Sequence, residues 1–305
     1  MKTLTLFKEE PFIQALKGFF QDLQVPVNYI ADEPGNAAAI LGDKYKPNDS
    51  AHKLIDDVYV MGMVDDAIFE GNKTFSSVDQ LKALQTDYDG ILILGVTLKQ
   101  REGDLLPTRS QLAGITRVFN QTFAYTPVTV VFKYGRNIAF ANSERIKYKQ
   151  EWREGEKAGK VSLLKDVDLV EPHRGHLSIL DQLRIEAEGK NAIRSFAQLY
   201  YYWQAKFSIS VLNKTFYQEI IGWFNKAIQD IRIPSKNPGS EQHKDFAVRL
   251  IARLIFIWFL KELKVVKEEL LVPEFNNGDE NDLIKPNTAG TSYYKFILQN
   301  LIIVL

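Results

Sequence analysis

Four acids and a lysine in the first hundred residues come nearest in this chain to the types and order used in metal-assisted phosphodiester hydrolysis. Asp65 and Asp66 come first, and Asp87 and Asp89 then lead into Thr97-Leu98-Lys99. Clustered carboxylates hold a divalent cation that activates water. Thr97 stands where a second strand acid belongs, and a neutral ligand there lowers the charge available to Mg²⁺. The catalytic candidates are therefore Asp65, Asp87 and Asp89 with Lys99, and Mg²⁺ is expected only if this nuclease reading holds. A turn ahead of a buried strand also accounts for Asp87 and Asp89.

A second chemistry lies in Ser143 to Lys160, where Arg145, Lys147, Lys149, Arg153, Lys157 and Lys160 alternate with Glu144, Glu151, Glu154 and Glu156 and enclose Tyr148 and Trp152. Paired charges on a solvated helix would contribute only a few tenths of a kcal/mol each. Gly155 and Gly159 interrupt such a helix, and a solvated face has little use for Trp152. The segment is expected to project from a sheet and to contact DNA through Arg145, Lys147, Lys149, Trp152, Arg153, Lys157 and Lys160. His173-Arg-Gly-His176 places two imidazoles three residues apart, which suits a metal on one helix face, but no cysteine or third histidine lies nearby. A helix cap or a packing role is expected instead, and no metal ligand is assigned.

The totals constrain what these groups can mean. The chain has 305 residues, 38 Lys and Arg, 38 Asp and Glu, and no cysteine. Zero net charge gives no global case for nucleic acid, so the case must be local. Without cysteine, disulfides and thiolate zinc sites are excluded. Met1 to Glu10 lacks the apolar core of a signal peptide. The most apolar helix candidate, Phe246 to Leu260, contains Arg249 and Arg253 and is shorter than the about 20 residues a bilayer needs. A cytoplasmic protein without a membrane partner is expected.

The elements that must position these residues fall into two kinds. Phe12, Ile13, Leu16, Phe19, Phe20 and Leu23 recur at helical spacing, predicting a helix laid on a sheet. Val27–Ile30, Ala38–Leu41 and Val58–Met61 predict short strands, and Gly90–Leu98 predicts a strand buried on both faces. Ser77 and Thr108 are expected helix caps, the second opening a helix with Leu112, Ile115 and Phe119 on one stripe. Val128–Tyr134 and Asn137–Asn142 flank Gly135-Arg136, a Gly-X pair suited to a type II′ hairpin, and Val161–Val167 predicts one more strand. Beyond Pro172 the pattern turns helical, with aromatics from Phe196 to Phe224, Arg249 and Arg253 four apart on a long helix from Asp245 to Lys264, and an apolar stretch from Tyr293 to Leu305. That stretch resembles a cut end, since nothing follows to bury it. The expected organisation is an α+β or α/β domain with a mixed sheet flanked by helices, residues 1–171, followed by an all-helical connector, residues 172–305.

Several long phrases resemble one family. Thr116-Arg117-Val-Phe-Asn120, Pro127-Val-Thr-Val-Val-Phe-Lys-Tyr134, Lys160-Val-Ser-Leu-Leu-Lys-Asp166 and His173-Arg-Gly-His-Leu-Ser-Ile-Leu180 are similar to the N-terminal region of type II, type IIG-like restriction-modification proteins. Leu212-Asn-Lys-Thr-Phe-Tyr-Gln-Glu219, Val248 to Glu262 and Tyr293 to Leu301 resemble the segment ahead of their DNA adenine methyltransferase, so the likeness covers about Leu92 to Leu301. It implies a possible restriction-endonuclease-like sheet, double-stranded DNA as a partner, and a methyltransferase module in cis or in trans. The Asn/Asp-Pro-Pro-aromatic loop and glycine-rich cofactor turn of such methyltransferases are absent, Asn237-Pro238-Gly239 being only a turn. Methyl transfer is therefore not expected of this chain. The resemblance implies a DNA-engaging, methyltransferase-associated scaffold that is non-catalytic by itself. The endonuclease-like reading and a pure protein-interaction scaffold are its alternatives.

Overall fold

The computed structural model describes residues 4–101, 103, 105–147, 156–207, 209–230 and 241–262. By internal contact the chain divides into a unit from Met1 to Asn213 and a unit from Lys214 to Leu305. The first unit opens with helices α1 (Leu6–Glu9) and α2 (Phe12–Asp22), followed by the two-residue strands β1 (Asn28–Tyr29) and β2 (Gly35–Asn36). Next come helix α3 (Ala37–Leu41), strand β3 (Ile55–Asp65), and the short helices α4 (Asp66–Phe69) and α5 (Val78–Lys82). Strand β4 (Gly90–Leu98), helix α6 (Arg109–Thr122) and strands β5 (Val128–Tyr134), β6 (Asn137–Lys147) and β7 (Glu156–Asp168) complete the sheet, and helices α7 (Arg174–Asp181) and α8 (Phe196–Phe207) follow.

The sheet is mixed and has seven strands in the order β1-β3-β4-β5-β6-β7, with β2 also pairing β3. Among the described residues only β4 and β5 run parallel, from Leu92 opposite Val128 to Thr97 opposite Lys133. A parallel pair needs a crossover, and α6 supplies it. Its start is fixed by a capping box in which the Thr108 side chain accepts from the Gln111 backbone N–H and the Gln111 side chain accepts from the Thr108 N–H. This reciprocal cap satisfies donors that a helix start otherwise leaves unpaired.

Both faces of the sheet are covered, which is why β4 reads as a continuous apolar run rather than an alternation. Ile91 and Ile93 join one core with Phe12, Leu16, Phe19, Phe20, Leu180 and Trp203 from α2, α7 and α8. Leu92, Leu94 and Val96 join the other with Leu112, Ile115 and Phe119 of α6 and Ile40 of α3. A Cβ on Gly95 would run into Leu16 Cδ1 and meet Phe12 Cε1 at 3.0 Å, so glycine sets how close α2 lies to β4. The Trp203 indole N–H donates to the Leu183 carbonyl at 3.1 Å, tying α8 to the chain that follows α7. These contacts carry the first compact unit well past Glu171-Pro172, where the composition shifts.

Ala38–Leu41, expected as a strand, lies in α3. The Asn36 side chain accepts from the Ala38 N–H at 2.8 Å, and this cap prevails over the short apolar run. The hairpin forms as expected: Tyr134 pairs with Asn137, and of its two turn residues only Gly135 has a positive φ, of 51°, as type II′ requires. The second unit contains the greater part of α9 (Ile209–Asp230) and all of α10 (Glu241–Glu262). No described helix is long and apolar enough to cross a membrane.

Candidate nucleic-acid interface

The four acids named above lie at one end of the sheet, around the close of β3 and the start of β4, but Lys99 does not join them. Asp65 closes β3 opposite Gly90, the first residue of β4. Its side chain is 1% exposed and saturated. One oxygen caps α4 by accepting from the Ile68 N–H at 3.0 Å. The other accepts from the Thr74 hydroxyl at 2.5 Å and the Tyr88 hydroxyl at 2.6 Å. Burial, and then the bond to Asp65, push the Tyr88 phenol up to about 12. Asp66 accepts from the Phe196 N–H at 2.6 Å, fastening the start of α8. Asp87 and Asp89 are exposed in the turn before β4. Lys99 follows the other end of that strand, nine steps from Gly90 and so roughly 30 Å from Asp65. Thr97 bonds to the partner strand, its Oγ1 accepting from the Asp57 N–H at 3.0 Å beside a register shift in β3. The fold thus does not bring Lys99 to Asp65, Asp87 or Asp89. Among the described residues no group of three or more His, Asp or Glu is placed to hold a metal ion.

His173 is the N-cap of α7, its Nδ1 accepting from the Gly175 N–H at 3.1 Å. The His176 ring stands 5.8 Å from it, edge to face. Burial, and then the neighbouring His173, hold the His176 pKa below the ordinary imidazole range. Of the other histidines, His52 stacks on Tyr45 and accepts from the Lys46 N–H at 2.9 Å, and His243 is buried.

The basic segment takes a form its sequence did not disclose. Strand β5 accompanies β6 only as far as Thr129 opposite Asn142, but β6 and β7 continue together through Ser143 opposite Val161 to Lys147 opposite Glu156. The result is a two-stranded ribbon beyond the sheet. Arg145 and Lys147 lie on its outgoing strand, Lys157 and Lys160 on its return, and Lys149, Trp152 and Arg153 fall outside the described residues. A register shift between Ser143 and Arg145 marks where the ribbon leaves the body. Such bulges bend a strand and sharpen its twist, re-aiming what lies beyond.

The root of the ribbon is polar and buried. Ser143, fully enclosed, donates to the Val128 carbonyl at 3.0 Å and accepts from the Val128 N–H at 3.2 Å, and its Oγ also lies 3.4 Å from Asn120 Oδ1 on α6. Beside it the Thr129 hydroxyl donates to Asn142 Oδ1 at 3.1 Å. Apart from Asn120 Nδ2, which is buried without a hydrogen-bond partner among the described residues, the polar groups of this root are paired, and such a network favours one arrangement of its elements. The signal for it was Asn142-Ser143 at the end of an apolar strand, a polar pair where the alternation predicts burial.

At the opposite end of β7, Asp166 takes up a left-handed backbone with φ 58°. The Tyr134 hydroxyl donates to its carboxylate at 3.0 Å and accepts from its N–H at 3.2 Å, while Lys165 pairs with the same carboxylate. Burial, and then the charge of Asp166, raise the Tyr134 pKa. Arg136 meets Asp168 at 2.6 Å and closes the hairpin onto β7. No family model, curated protein or solved structure matches this chain.

Proposed function

We propose that this chain is the DNA-engaging and scaffolding part of a type II restriction-modification system, gripping duplex DNA while a methyltransferase module, in cis or in trans, performs the chemistry. The observation that carries the reading is the ribbon. Antiparallel two-stranded ribbons are narrow enough for the major groove, and several DNA-binding proteins read the groove with one. This ribbon belongs to the segment with six basic side chains and Trp152. Its root is locked by Ser143, Asn142 and Thr129, which gives a projecting arm the fixed base that positioning requires.

The sheet then serves as a platform, with Asp65 and Asp66 holding α4, the Thr74 loop and α8 in place. Association of the purified chain with a duplex, followed by anisotropy across a salt series, tests the arm directly. Replacing Arg145, Lys147, Lys149, Arg153, Lys157 and Lys160 with Glu is expected to abolish the phosphate contacts and flatten the plot of log affinity against log salt by about five units. An unchanged slope would remove the arm from the interface.

A second reading, a protein-interaction scaffold without nucleic acid, is favoured by the aromatic surface of the second unit. Phe216, Tyr217 and Trp223 on α9 and Phe256, Trp258 and Phe259 on α10 are all exposed. Exposed apolar patches of this kind mark interaction sites.

A further inference from the structure

From Leu105 to Ser143 the chain contains no aspartate or glutamate, although Arg109, Arg117, Lys133 and Arg136 fall within that run. The run builds α6, β5 and the first part of β6, the half of the sheet from which the ribbon leaves. Two of its cations are engaged at the other end of the strands: Lys133 lies over the Phe12 ring at 6.0 Å, and Arg136 pairs with Asp168. Arg109 and Arg117 are exposed on α6. Neither has an ion-pair partner among the described residues.

Position makes these arginines more than ordinary solvated side chains. Helix α6 packs its apolar stripe, Leu112, Ile115 and Phe119, into the core that holds Val161 and Leu163 of β7. Arg109 Nη1 reaches the Leu163 carbonyl at 3.4 Å, laying that side chain toward β7, while Asn120 at the far end of the helix lies against Ser143 at the ribbon root. Eight residues separate the two arginines, about 12 Å along the helix axis. The exposed acids Asp66, Glu70, Asp87 and Asp89 lie instead around the junction of β3 and β4. A polyanion is therefore repelled from one half of the sheet and attracted to the other, although the chain as a whole is neutral.

We propose that the exposed side of α6, through Arg109 and Arg117, is a second contact on the phosphate backbone of the duplex whose groove the ribbon enters. Helix and ribbon then hold the duplex at two places, and the Asn120–Ser143 contact fixes the angle between them. This rests on the DNA-binding reading above and adds residues to it.

The test is a salt series on the full chain with a duplex long enough to cover both elements. It compares wild type, Arg109→Gln/Arg117→Gln, Arg117→Lys, the six-residue arm variant, and Lys8→Gln as a control on α1, which packs on the other face of the sheet. The double variant is expected to weaken binding and lower the salt slope by about two units, whereas Arg117→Lys and Lys8→Gln retain the wild-type slope. Arg117→Gln alone, exposed and without a protein partner among the described residues, should lower it by about one and guards against misfolding of the double variant. If the arm variant flattens the slope but the double variant and Arg117→Gln do not, the α6 contact is overturned and the arm reading stands. If wild type binds no duplex even at low salt, both are overturned together.

Discussion

Asp65 shows how one side chain can look like a metal ligand and be occupied by structure. Its two oxygens take three donors, from Ile68, Thr74 and Tyr88, in a site closed to water. Replacing it with alanine would leave the Tyr88 and Thr74 hydroxyls without their acceptor and remove a helix cap. A loss of about 3 kcal/mol is expected from those terms together. In thermal unfolding this should lower the midpoint by roughly 6–12 °C. Asp65→Asn, which keeps an acceptor for the cap, should lose less than half as much. A midpoint unchanged in the alanine variant would show that the carboxylate is not the anchor described. The acid itself was legible in the sequence as a residue at a strand end. Its partners were not, because Thr74 and Tyr88 reach it from loops nine and twenty-three residues away. Local pattern carries no information about which loop folds back. His173 is the converse: the helix cap expected of it forms, and a Gly two residues on supplies the N–H it accepts.

Among the elements, those with their own chemical punctuation were readable and those shaped by neighbours were not. Thr108 with Gln111, Ser77 with Gln80, and Gly135 in the hairpin each carry the residue that their local geometry demands. The alternation of α2 likewise announced the face it buries. Ala38–Leu41 misled because four apolar residues fit either period, and only the Asn36 cap decides between them. The outward length of β6 and β7 was hidden for a different reason. Charged strands carry no apolar alternation, and it is mutual pairing that extends them. At this scale Gly95 gives a sharp expectation. In Gly95→Ala the added methyl meets Leu16 and Phe12, so α2 must lift from β4 or those side chains must leave their rotamers. A cost of about 1–3 kcal/mol is expected, read as a lower urea midpoint with an unchanged slope. Stability equal to wild type would mean that α2 is not seated on β4 as described.

Across the whole molecule, neutrality conceals an uneven distribution of charge, and average composition conceals an uneven distribution of apolar surface. The second unit presents Phe256, Trp258 and Phe259 to solvent at 54%, 46% and 52% exposure. Replacing the three with serine is expected to leave secondary structure intact by circular dichroism while reducing self-association or retention on a hydrophobic matrix. Unchanged behaviour in light scattering and chromatography would indicate that these rings are not a contact surface. The shift from strands to helices was visible at Glu171-Pro172, but the compact unit extends to Asn213 because Leu180, Trp203 and Phe207 share a core with α2. Composition marks where secondary structure changes, whereas packing decides where a unit ends.

The rims of the sheet carry a final consequence. An open sheet offers unpaired backbone amides along its outermost strands, an invitation to add a strand from another molecule. Here one rim is cut into the two-residue strands β1 and β2. The other, β7, is broken by two register shifts and by the left-handed turn of Asp166. Among the described residues neither rim of the sheet offers a long, uninterrupted template for an added strand. Irregular margins of this kind disfavour the edge-to-edge pairing that seeds fibrils.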